Sequence, residues 1–450
     1  MNNPSPILTP GPLTRRHFLR NTSTAAAGTA LLGSLAVERF ALGAGASDVL
    51  KIALVGCGGR GSGAANQALA TYNQGPVKLV AMADVHQDRL DGALANLQKT
   101  HADRVEVPKE QQFTDFDGFK KATALADVII LATPPGFRPQ QFEEAVRQGK
   151  HVFMEKPVAT DAPGVRKVLA AAEEAKKKGL KVGVGLQRHH QAGYIETVKR
   201  LHEGAIGDIT SMRCYWNGQR PWQRKRAELE KQAGRKLTEM EYQLRNWYYF
   251  VWLCGDHIAE QHIHNLDVIN WVKKGHPVKA RGMGGREISN GPDDGEIYDH
   301  FACQFEYEDG SICYSECRHQ PGAWNSVSEH VQGTKGRSDV GGNRISGEAQ
   351  WRFRAEGGAK DPYQQEHDDL FDAIRNNKEY SEAGFGAEST MTAILGRMAA
   401  YSGKELEWDA ALKSTVDLFP KNLAWDAEAP VKPGSDGSYP RAVPGKTNVL

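Results

Sequence analysis

Cysteine is scarce in this sequence. Six cysteines occur in 450 residues, and none of them forms a CxxC pair or has the spacing of a zinc ligand set. This scarcity argues against a disulfide scaffold and against a structural zinc site. Cys313 and Cys317 lie four residues apart in a segment that we predict to be a strand, so both side chains face the same side, and we interpret them as small buried hydrophobes.

An excess of charge of either sign is also missing. The chain has 56 Lys and Arg residues against 55 Asp and Glu residues, a formal net charge of +1. This balance gives no overall field that would attract nucleic acid or an anionic membrane. The composition, 40% hydrophobic and 25% charged, is that of an ordinary globular protein, and the length indicates two or three domains.

The N-terminus has the pattern of an export signal. Residues 14–20 read Thr-Arg-Arg-His-Phe-Leu-Arg, small and apolar residues fill 25–37, and 44–46 read Ala-Gly-Ala. These are a charged region, an apolar region and a cleavage site, and the paired arginines followed by Phe-Leu resemble a twin-arginine signal. The apolar region is too short to be a convincing membrane span. We therefore expect 1–46 to be a signal peptide, and the mature chain to be periplasmic or otherwise exported without a membrane span.

A dinucleotide-binding motif follows directly. Residues 51–55 form a short apolar run typical of a buried parallel strand, and they lead into Gly56-x-Gly58-x-x-Gly61 and a predicted helix over 62–71. The first glycine permits a tight turn, the second lets a pyrophosphate approach the backbone, and the third lets helix and strand pack closely. The N-terminus of the helix would then face the phosphates.

The next strands supply the rest of the predicted nucleotide site. Residues 77–83 end in Asp84, placed to bind the adenosine ribose hydroxyls, which favours NAD over NADP, although Arg89 is near; a helix N-cap is the alternative role for Asp84. Residues 127–133 end in Thr133-Pro134, which we expect on the nicotinamide side. Residues 151–154 end in Glu155-Lys156-Pro157. The proline favours an extended Lys156 that points into the cleft, where it could shuttle a proton; a surface lysine is the alternative.

These motifs, in this order and spacing, resemble the glucose–fructose oxidoreductase / inositol dehydrogenase / rhizopine catabolism (Gfo/Idh/MocA) family over residues 50–410. The resemblance implies an α/β Rossmann dinucleotide-binding domain over 47–180, an α+β domain with an open, largely antiparallel sheet over 181–426, and an extended tail over 427–450. It also implies a homo-oligomer formed through the open sheet. The cofactor-binding residues that we predict are Gly56, Gly58, Gly59, Arg60, Gly61, Asp84, Thr133, Pro134, Glu155 and Lys156.

The catalytic residues that we predict are Lys156, His264 and Glu260. His264 and Asp267 match the family pattern, whereas Glu260 replaces an aspartate and retains the carboxylate one methylene further out. His264 is the candidate general base, and on a helix Glu260 would lie one turn before it and orient the imidazole. A metal bound by His257, Glu260, His262 and His264 is the alternative, but the pattern is not HExxH and the family works without a metal, so we predict none.

Candidate substrate residues are Arg188 and Asn217, which could bind hydroxyl groups, and Trp247 and Trp252, which could pack against a sugar ring. The alternative for the tryptophans is a place in the core. The charged stretch 224–245 reads as a helical insertion, as a lid or as a subunit contact.

Together these features predict an NAD(H)-dependent oxidoreductase that acts on a secondary hydroxyl of a sugar, glycoside or polyol. Because the periplasm has no free NAD pool, we expect the cofactor to be retained. One alternative is an NAD-dependent glycosidase or lyase that oxidises transiently, eliminates and reduces again, with no net redox change. The other is a non-catalytic sugar-binding protein, against which the retention of Lys156 and His264 argues.

Overall fold

The first domain contains a parallel six-stranded sheet in the order β3-β2-β1-β4-β5-β6. The computed structural model describes residues 48–355 and 357–450, so the predicted signal peptide lies outside the described residues. The strands are almost continuous apolar runs because helices cover both faces of the sheet, and the predicted strands are confirmed. They are β1 (Leu50–Val55), β2 (Val77–Ala83), β3 (Gln112–Phe113), β4 (Val128–Leu131), β5 (His151–Met154) and β6 (Val182–Val184).

The helices of this domain connect the parallel strands. Strand β6 pairs in parallel with β5, so the sheet continues a few residues beyond the predicted boundary at 180. The helices are α1 (Gly59–Ala70), α2 (Gln87–Thr100), α3 (Gly118–Ala124), α4 (Arg138–Arg147) and α5 (Ala162–Lys177).

The second sheet has nine strands in the order β14-β13-β12-β11-β7-β10-β9-β8-β15. Only its β7–β10 pair is parallel, so the prediction of a largely antiparallel sheet is confirmed. Buried and exposed residues alternate along its central strands, which leaves one face open. Its strands are β7 (Ile209–Gly218), β8 (Lys279–Gly285), β9 (His300–Glu306), β10 (Ile312–His319), β11 (Ser326–Gly333), β12 (Gly336–Asp339), β13 (Arg344–Gly347), β14 (Trp351–Arg352) and β15 (Leu406–Glu407).

Helices cover the other face of this sheet and join the two domains. Helix α13 (Ala383–Ser402) packs against β8 and against α5, and α12 (Pro362–Arg375) packs against α1 of the first domain. In the described ranges no helix is both long and apolar enough to cross a membrane. The helices are α6 (Ala192–His202), α7 (Arg226–Ala233), α8 (Glu239–Arg245), α9 (Val251–Cys254), α10 (His257–Glu260), α11 (Ile263–Lys273), α12 (Pro362–Arg375), α13 (Ala383–Ser402) and α14 (Trp408–Leu412).

Two further segments shape the site. The excursion, residues 219–250, carries α7 and α8 between β7 and α9. The tail, residues 413–450, has neither helix nor strand, yet it buries Tyr439 and Val449 against the body of the protein. Residues 427–450, for which we predict an extended tail, thus contain neither helix nor strand and pack against the body of the protein.

All six cysteines are free and buried. The interpretation of Cys313 and Cys317 as small buried hydrophobes is therefore confirmed.

Candidate active site

The glycine turn between β1 and α1 is closely packed at two of its glycines and open at the third. Gly56 has a φ of +94°, and a Cβ there would lie 2.4 Å from the Thr133 nitrogen. A Cβ on Gly61 would lie 1.9 Å from the Gly56 carbonyl oxygen, so side chains are excluded at both positions. A Cβ on Gly58 or on Gly59 would meet nothing within 4 Å, which leaves space above the turn for a ligand.

A cleft of about 460 Å³ opens above this turn. Helix α1 begins there with Gly58 as its N-cap, a residue that has no side chain to bond to the first turn. Free backbone N–H groups at a helix N-terminus favour a bound phosphate, so the turn fits a pyrophosphate. The predicted cofactor residues that line the cleft are Gly56, Gly58, Gly59, Arg60, Asp84, Thr133 and Pro134.

Asp84 lies at the end of β2 and bonds back to the glycine turn. Its carboxylate accepts hydrogen bonds from the backbone nitrogens of Cys57, at 2.7 Å, and of His86, at 2.9 Å. Burial nevertheless raises the pKa of Asp84. The N-cap of α2 is His86, so the alternative role of Asp84 as that cap is wrong. The carboxylate fixes the turn and borders the cleft.

Glu155 does not line the cleft, but it bonds to Arg60, which does. The Arg60 guanidinium donates to Glu155 at 2.5 Å and to Glu366 of α12 at 3.0 Å. Both carboxylates are buried, and burial raises the pKa of Glu366, with Glu155 raising it further. This network fixes Arg60 at the edge of the cleft and ties the first domain to α12.

Lys156 is held by Glu260. Its Nζ donates to the Glu260 carbonyl oxygen at 2.5 Å and lies 3.2 Å from Oε1 of the same residue. The carbonyl is available because the helix breaks after Glu260: the His264 backbone nitrogen bonds to the Gln261 carbonyl instead. The prediction that Glu260 orients His264 from one helical turn away is therefore wrong, since Glu260 positions Lys156.

His264 lies in the first turn of α11 and is buried. It is 7% exposed, its ring stacks on Trp216 at 5.9 Å between centroids, and its Nδ1 has no hydrogen-bond partner. Burial lowers its pKa well below the ordinary value, and the charges of Lys156, Arg188 and Arg60 lower it further. The imidazole is therefore neutral near pH 7 and able to accept a proton.

Sequence reasoning missed Arg138, which connects two loops of the site. Its guanidinium donates to the Thr133 carbonyl at 2.5 Å and to the Pro157 carbonyl. Arg138 is 1% exposed, and burial lowers its pKa to about 10. It thereby joins the loop after β4 to the loop that carries Lys156. No motif marks this arginine, and its role depends on contacts that sequence spacing does not show.

Arg188 lies on the 3₁₀ turn Gln187–His190, after β6. Its side chain forms a buried ion pair with Glu329, whose carboxylate also accepts from Asn265 of α11 at 2.5 Å. Arg188 is thus anchored beside the helix that carries His264, and its charge reaches that imidazole. The structure therefore brings this predicted substrate residue to the site.

The predicted tryptophans have different places. Trp247 lines the nucleotide cleft together with Trp222. Trp252 is 1% exposed, packs against Phe137 and Phe419, and donates to Gln243 at 2.8 Å. It borders a separate cavity of about 300 Å³ beneath the tail. The prediction of Trp252 as a substrate residue is therefore wrong, because the ring belongs to the core.

Asn217 lies in β7 next to Trp216. Consecutive strand residues point to opposite faces of a sheet, and Trp216 faces His264. Strand β7 keeps regular register with β10 as far as Gly218, so Asn217 lies on the opposite side of the strand from Trp216, where its side chain is buried. Its role as a substrate residue stays a prediction.

The histidines of the alternative metal site are dispersed. His257 bonds to Asp256 at 3.0 Å, and His262 bonds to Ser315 at 2.7 Å. Among residues 48–355 and 357–450, no three metal-binding side chains form a group that could hold an ion.

The excursion forms the outer wall of the nucleotide cleft. Arg224, Leu244, Arg245 and Trp247 line it from this side. Arg245 also pairs with Asp88 of α2 through two hydrogen bonds, of 2.7 and 2.8 Å. The charged stretch is therefore a cover over the cleft, as the lid interpretation expects.

Two family models match the sequence of this chain. Residues 50–185 match the model of the oxidoreductase family with an NAD-binding Rossmann fold, and residues 194–339 match the Gfo/Idh/MocA C-terminal domain. Together the two matches span most of the chain.

Curated relatives match about half of this chain at low sequence identity. The chain is 27% identical over 243 residues to 2,7-anhydro-N-acetylneuraminate hydratase of Escherichia coli (strain K12), covering 50% of this chain and 56% of the relative. It is 26% identical over 231 residues to inositol 2-dehydrogenase of Ralstonia nicotianae, covering 50% and 54%. The chain thus spans about half the length of the curated relatives it matches.

Solved structures show the same fold. Scyllo-inositol dehydrogenase from Lactobacillus casei, with bound NAD(H) and scyllo-inositol, superposes with a TM-score of 0.59 at 22% identity, over 80% of this chain and 100% of that one. With its NAD-binding domain, its second sheet and both family matches, this chain belongs to the Gfo/Idh/MocA family of NAD-dependent oxidoreductases.

Proposed function

We propose that this protein oxidises a secondary hydroxyl of a sugar, glycoside or polyol with a retained NAD. The observation that supports this most directly is the meeting of Lys156, from the nucleotide domain, with the segment that leads into His264. Glu260 holds the lysine, and the lysine's charge lowers the pKa of the histidine after burial has done so. The Lys156 cation is therefore fixed close enough to the proton-accepting imidazole of His264 for its charge to act on it.

In the proposed reaction, different residues of the chain would bind the nucleotide, bind the substrate and move the proton. NAD, when bound, supplies the hydride acceptor. The glycine turn and the N-terminus of α1 would hold its pyrophosphate, and Asp84 would contact the adenosine ribose. Lys156 would donate a hydrogen bond to the reacting hydroxyl oxygen, and His264 would take its proton. Arg188 would bind a neighbouring hydroxyl.

Transient oxidation is the second candidate. The E. coli relative is named a hydratase, which is a name for chemistry without net redox change and supports this candidate. A glycosidase or lyase would use the same Lys156 and His264, and would return the hydride before product release. This chemistry suits a retained nucleotide, because no second substrate is needed to reoxidise it.

One experiment separates the two reactions. The purified protein is denatured to release and identify its nucleotide, and the native protein is then offered free sugars and glycosides. We expect NAD or NADH in the released fraction. Reduction of the bound nucleotide with a ketone product indicates a dehydrogenase, whereas release of the aglycone without net reduction indicates a glycosidase. If no sugar or glycoside reacts, the proposed function is wrong.

The cover over the cleft supports retention of the nucleotide. The Arg245–Asp88 pair joins the excursion to α2, and the tail adds Trp425, whose ring packs on Phe116 at 4.9 Å. The Thr238 hydroxyl of the excursion donates to the Trp425 carbonyl at 2.6 Å. A nucleotide in the cleft would lie beneath both segments, so its release requires these contacts to open.

We expect Arg245→Ala to release bound nucleotide about 2- to 5-fold faster, because a bidentate ion pair at the surface stabilises the closed cover by up to about 1 kcal/mol. Nucleotide loss during dialysis, measured by chromatography, gives the rate. Arg235→Ala is the matched control: Arg235 pairs with Glu241 inside the excursion and makes no contact across the cleft. If both variants release nucleotide at equal rates, the Arg245–Asp88 pair does not hold the cover closed and the proposal of a retaining cover is contradicted.

We also propose export by the twin-arginine route and assembly through the open sheet. The arginine pair in residues 14–20 supports the first proposal. Exposed Met283, Tyr314 and Trp324 on or beside the open face support the second. Cell fractionation and light scattering of the mature protein measure the two properties.

A further inference from the structure

Tyr248 carries a buried hydroxyl that no neighbouring group satisfies. The residue lies on the 3₁₀ turn Trp247–Tyr249 at the end of the excursion and is 4% exposed. Its hydroxyl has no hydrogen-bond partner among residues 48–355 and 357–450. A buried polar group without a partner destabilises a protein, and phenylalanine would fill the same space without that cost. A ligand that supplies the missing partner would account for the hydroxyl.

The ring of Tyr248 packs between the wall of the nucleotide cleft and the segment that follows Glu260. On one side Tyr248 packs against Trp222 at 6.2 Å and Trp247 at 5.7 Å, which line the nucleotide cleft. On the other side it packs against His319 at 5.8 Å, whose Nε2 bonds to Gln261 at 2.7 Å. Tyr248 therefore lies between the nucleotide wall and the helix break that holds Lys156.

Glu260 offers the complementary unpartnered atom. Its Oε1 meets Lys156, but its Oε2 is buried without a partner. Burial raises the pKa of Tyr248 well above its ordinary value, and the nearby charge of Glu260 raises it further, so the phenol stays protonated and can donate. Tyr248 and Glu260 thus present an unused donor and an unused acceptor, which suit a group that accepts and donates at once, as a sugar hydroxyl does.

We propose that Tyr248 is a substrate-binding residue whose hydroxyl donates a hydrogen bond to a ring hydroxyl of the sugar, with Oε2 of Glu260 accepting from the same region of the substrate. This proposal rests on the proposed function and deepens it. It assigns the site a polyhydroxylated ring, with at least one hydroxyl bound in addition to the one that reacts.

The test is Tyr248→Phe in the full mature protein with its nucleotide. Without substrate, we expect its Tm to stay the same or rise by about 1–3 °C, because an unsatisfied hydroxyl has been removed. With the sugar that the wild type accepts from a panel containing inositol and glucose, we expect kcat/KM to fall about 10- to 100-fold, mainly through KM. The rise in Tm that this sugar gives the wild type should shrink or vanish.

Tyr249→Phe is the matched control. Its hydroxyl donates to the Pro221 carbonyl at 3.4 Å, so its loss should leave the response to the sugar unchanged. If Tyr248→Phe lowers the Tm without substrate, or keeps kcat/KM within twofold of wild type, the proposal is overturned while the proposed function stands. If the wild type neither turns over nor is stabilised by any sugar, the proposed function and this proposal fail together.

Discussion

His264→Ala should lower kcat/KM by about 10²- to 10⁴-fold, the range in which a positioned general base contributes. The imidazole is buried and neutral, and alanine leaves no group in its place to take the proton of the substrate. Lys156→Met should lose a similar factor, since it removes the cation while keeping the length of the side chain. Initial rates with the accepted sugar, on protein with equal nucleotide content, measure both.

The pH profile gives a second readout of the same residue. Because the pKa of His264 is depressed, its neutral, proton-accepting form persists as the pH falls. We therefore expect no loss of kcat/KM from histidine protonation between about pH 8 and pH 6. His276→Gln is the control: its ring stacks on Trp408 at 3.8 Å, away from the cleft, and its activity should equal wild type. If His264→Ala and Lys156→Met both stay within tenfold of wild type, our assignment of the catalytic site is wrong.

Alanine substitutions at two glycines of the turn should differ in their effects on stability and on nucleotide binding. In Gly61→Ala the new methyl group would lie 1.9 Å from the Gly56 carbonyl oxygen, so α1 must move away from β1. We expect a loss of about 1–3 kcal/mol in the free energy of unfolding, together with loss of bound nucleotide. In Gly58→Ala the methyl group meets no protein atom. That variant should fold normally and lose nucleotide, because the methyl group occupies the approach of the pyrophosphate.

Thermal denaturation and chromatography of the released nucleotide measure the two effects separately. Gly92→Ala is the control, since Gly92 is exposed within α2 and has open space around it. It should keep its nucleotide and gain up to about 1 kcal/mol from the better helix propensity of alanine. A Gly61→Ala protein that melts and binds like wild type would show that the turn does not need its close packing.

The strands of the first domain could be predicted from the sequence because strands buried on both faces are uninterrupted apolar runs. The glycine turn and Asp84 could be placed because their spacing from those strands is fixed by local geometry. These positions follow from neighbours in the sequence, so a short window contains the information that determines them.

The failed predictions concern tertiary context. Trp252 and Trp247 are only five residues apart, yet one belongs to the core and the other to the cleft, and composition does not separate the two. Glu260 was assigned to His264 by helical spacing, but the helix breaks between them.

The missed residues share one property, which is that their partners are distant in sequence or absent from the chain. Arg138 joins the backbones of two different loops. Tyr248 is recognisable by the hydrogen bond that it lacks, and a sequence pattern cannot show a missing contact.

The pairing of α12 with the nucleotide domain has a consequence for biosynthesis. Arg60 beside the glycine turn bonds to Glu366, 306 positions later in the chain, and Gln364 donates to the Gln67 carbonyl of α1 at 3.0 Å. The ribosome synthesises the glycine turn early in translation, whereas α12 is made only after four-fifths of the chain. Until then Arg60 has Glu155 as a partner but lacks Glu366, so we expect the nucleotide site to reach its final geometry only after α12 has been synthesised.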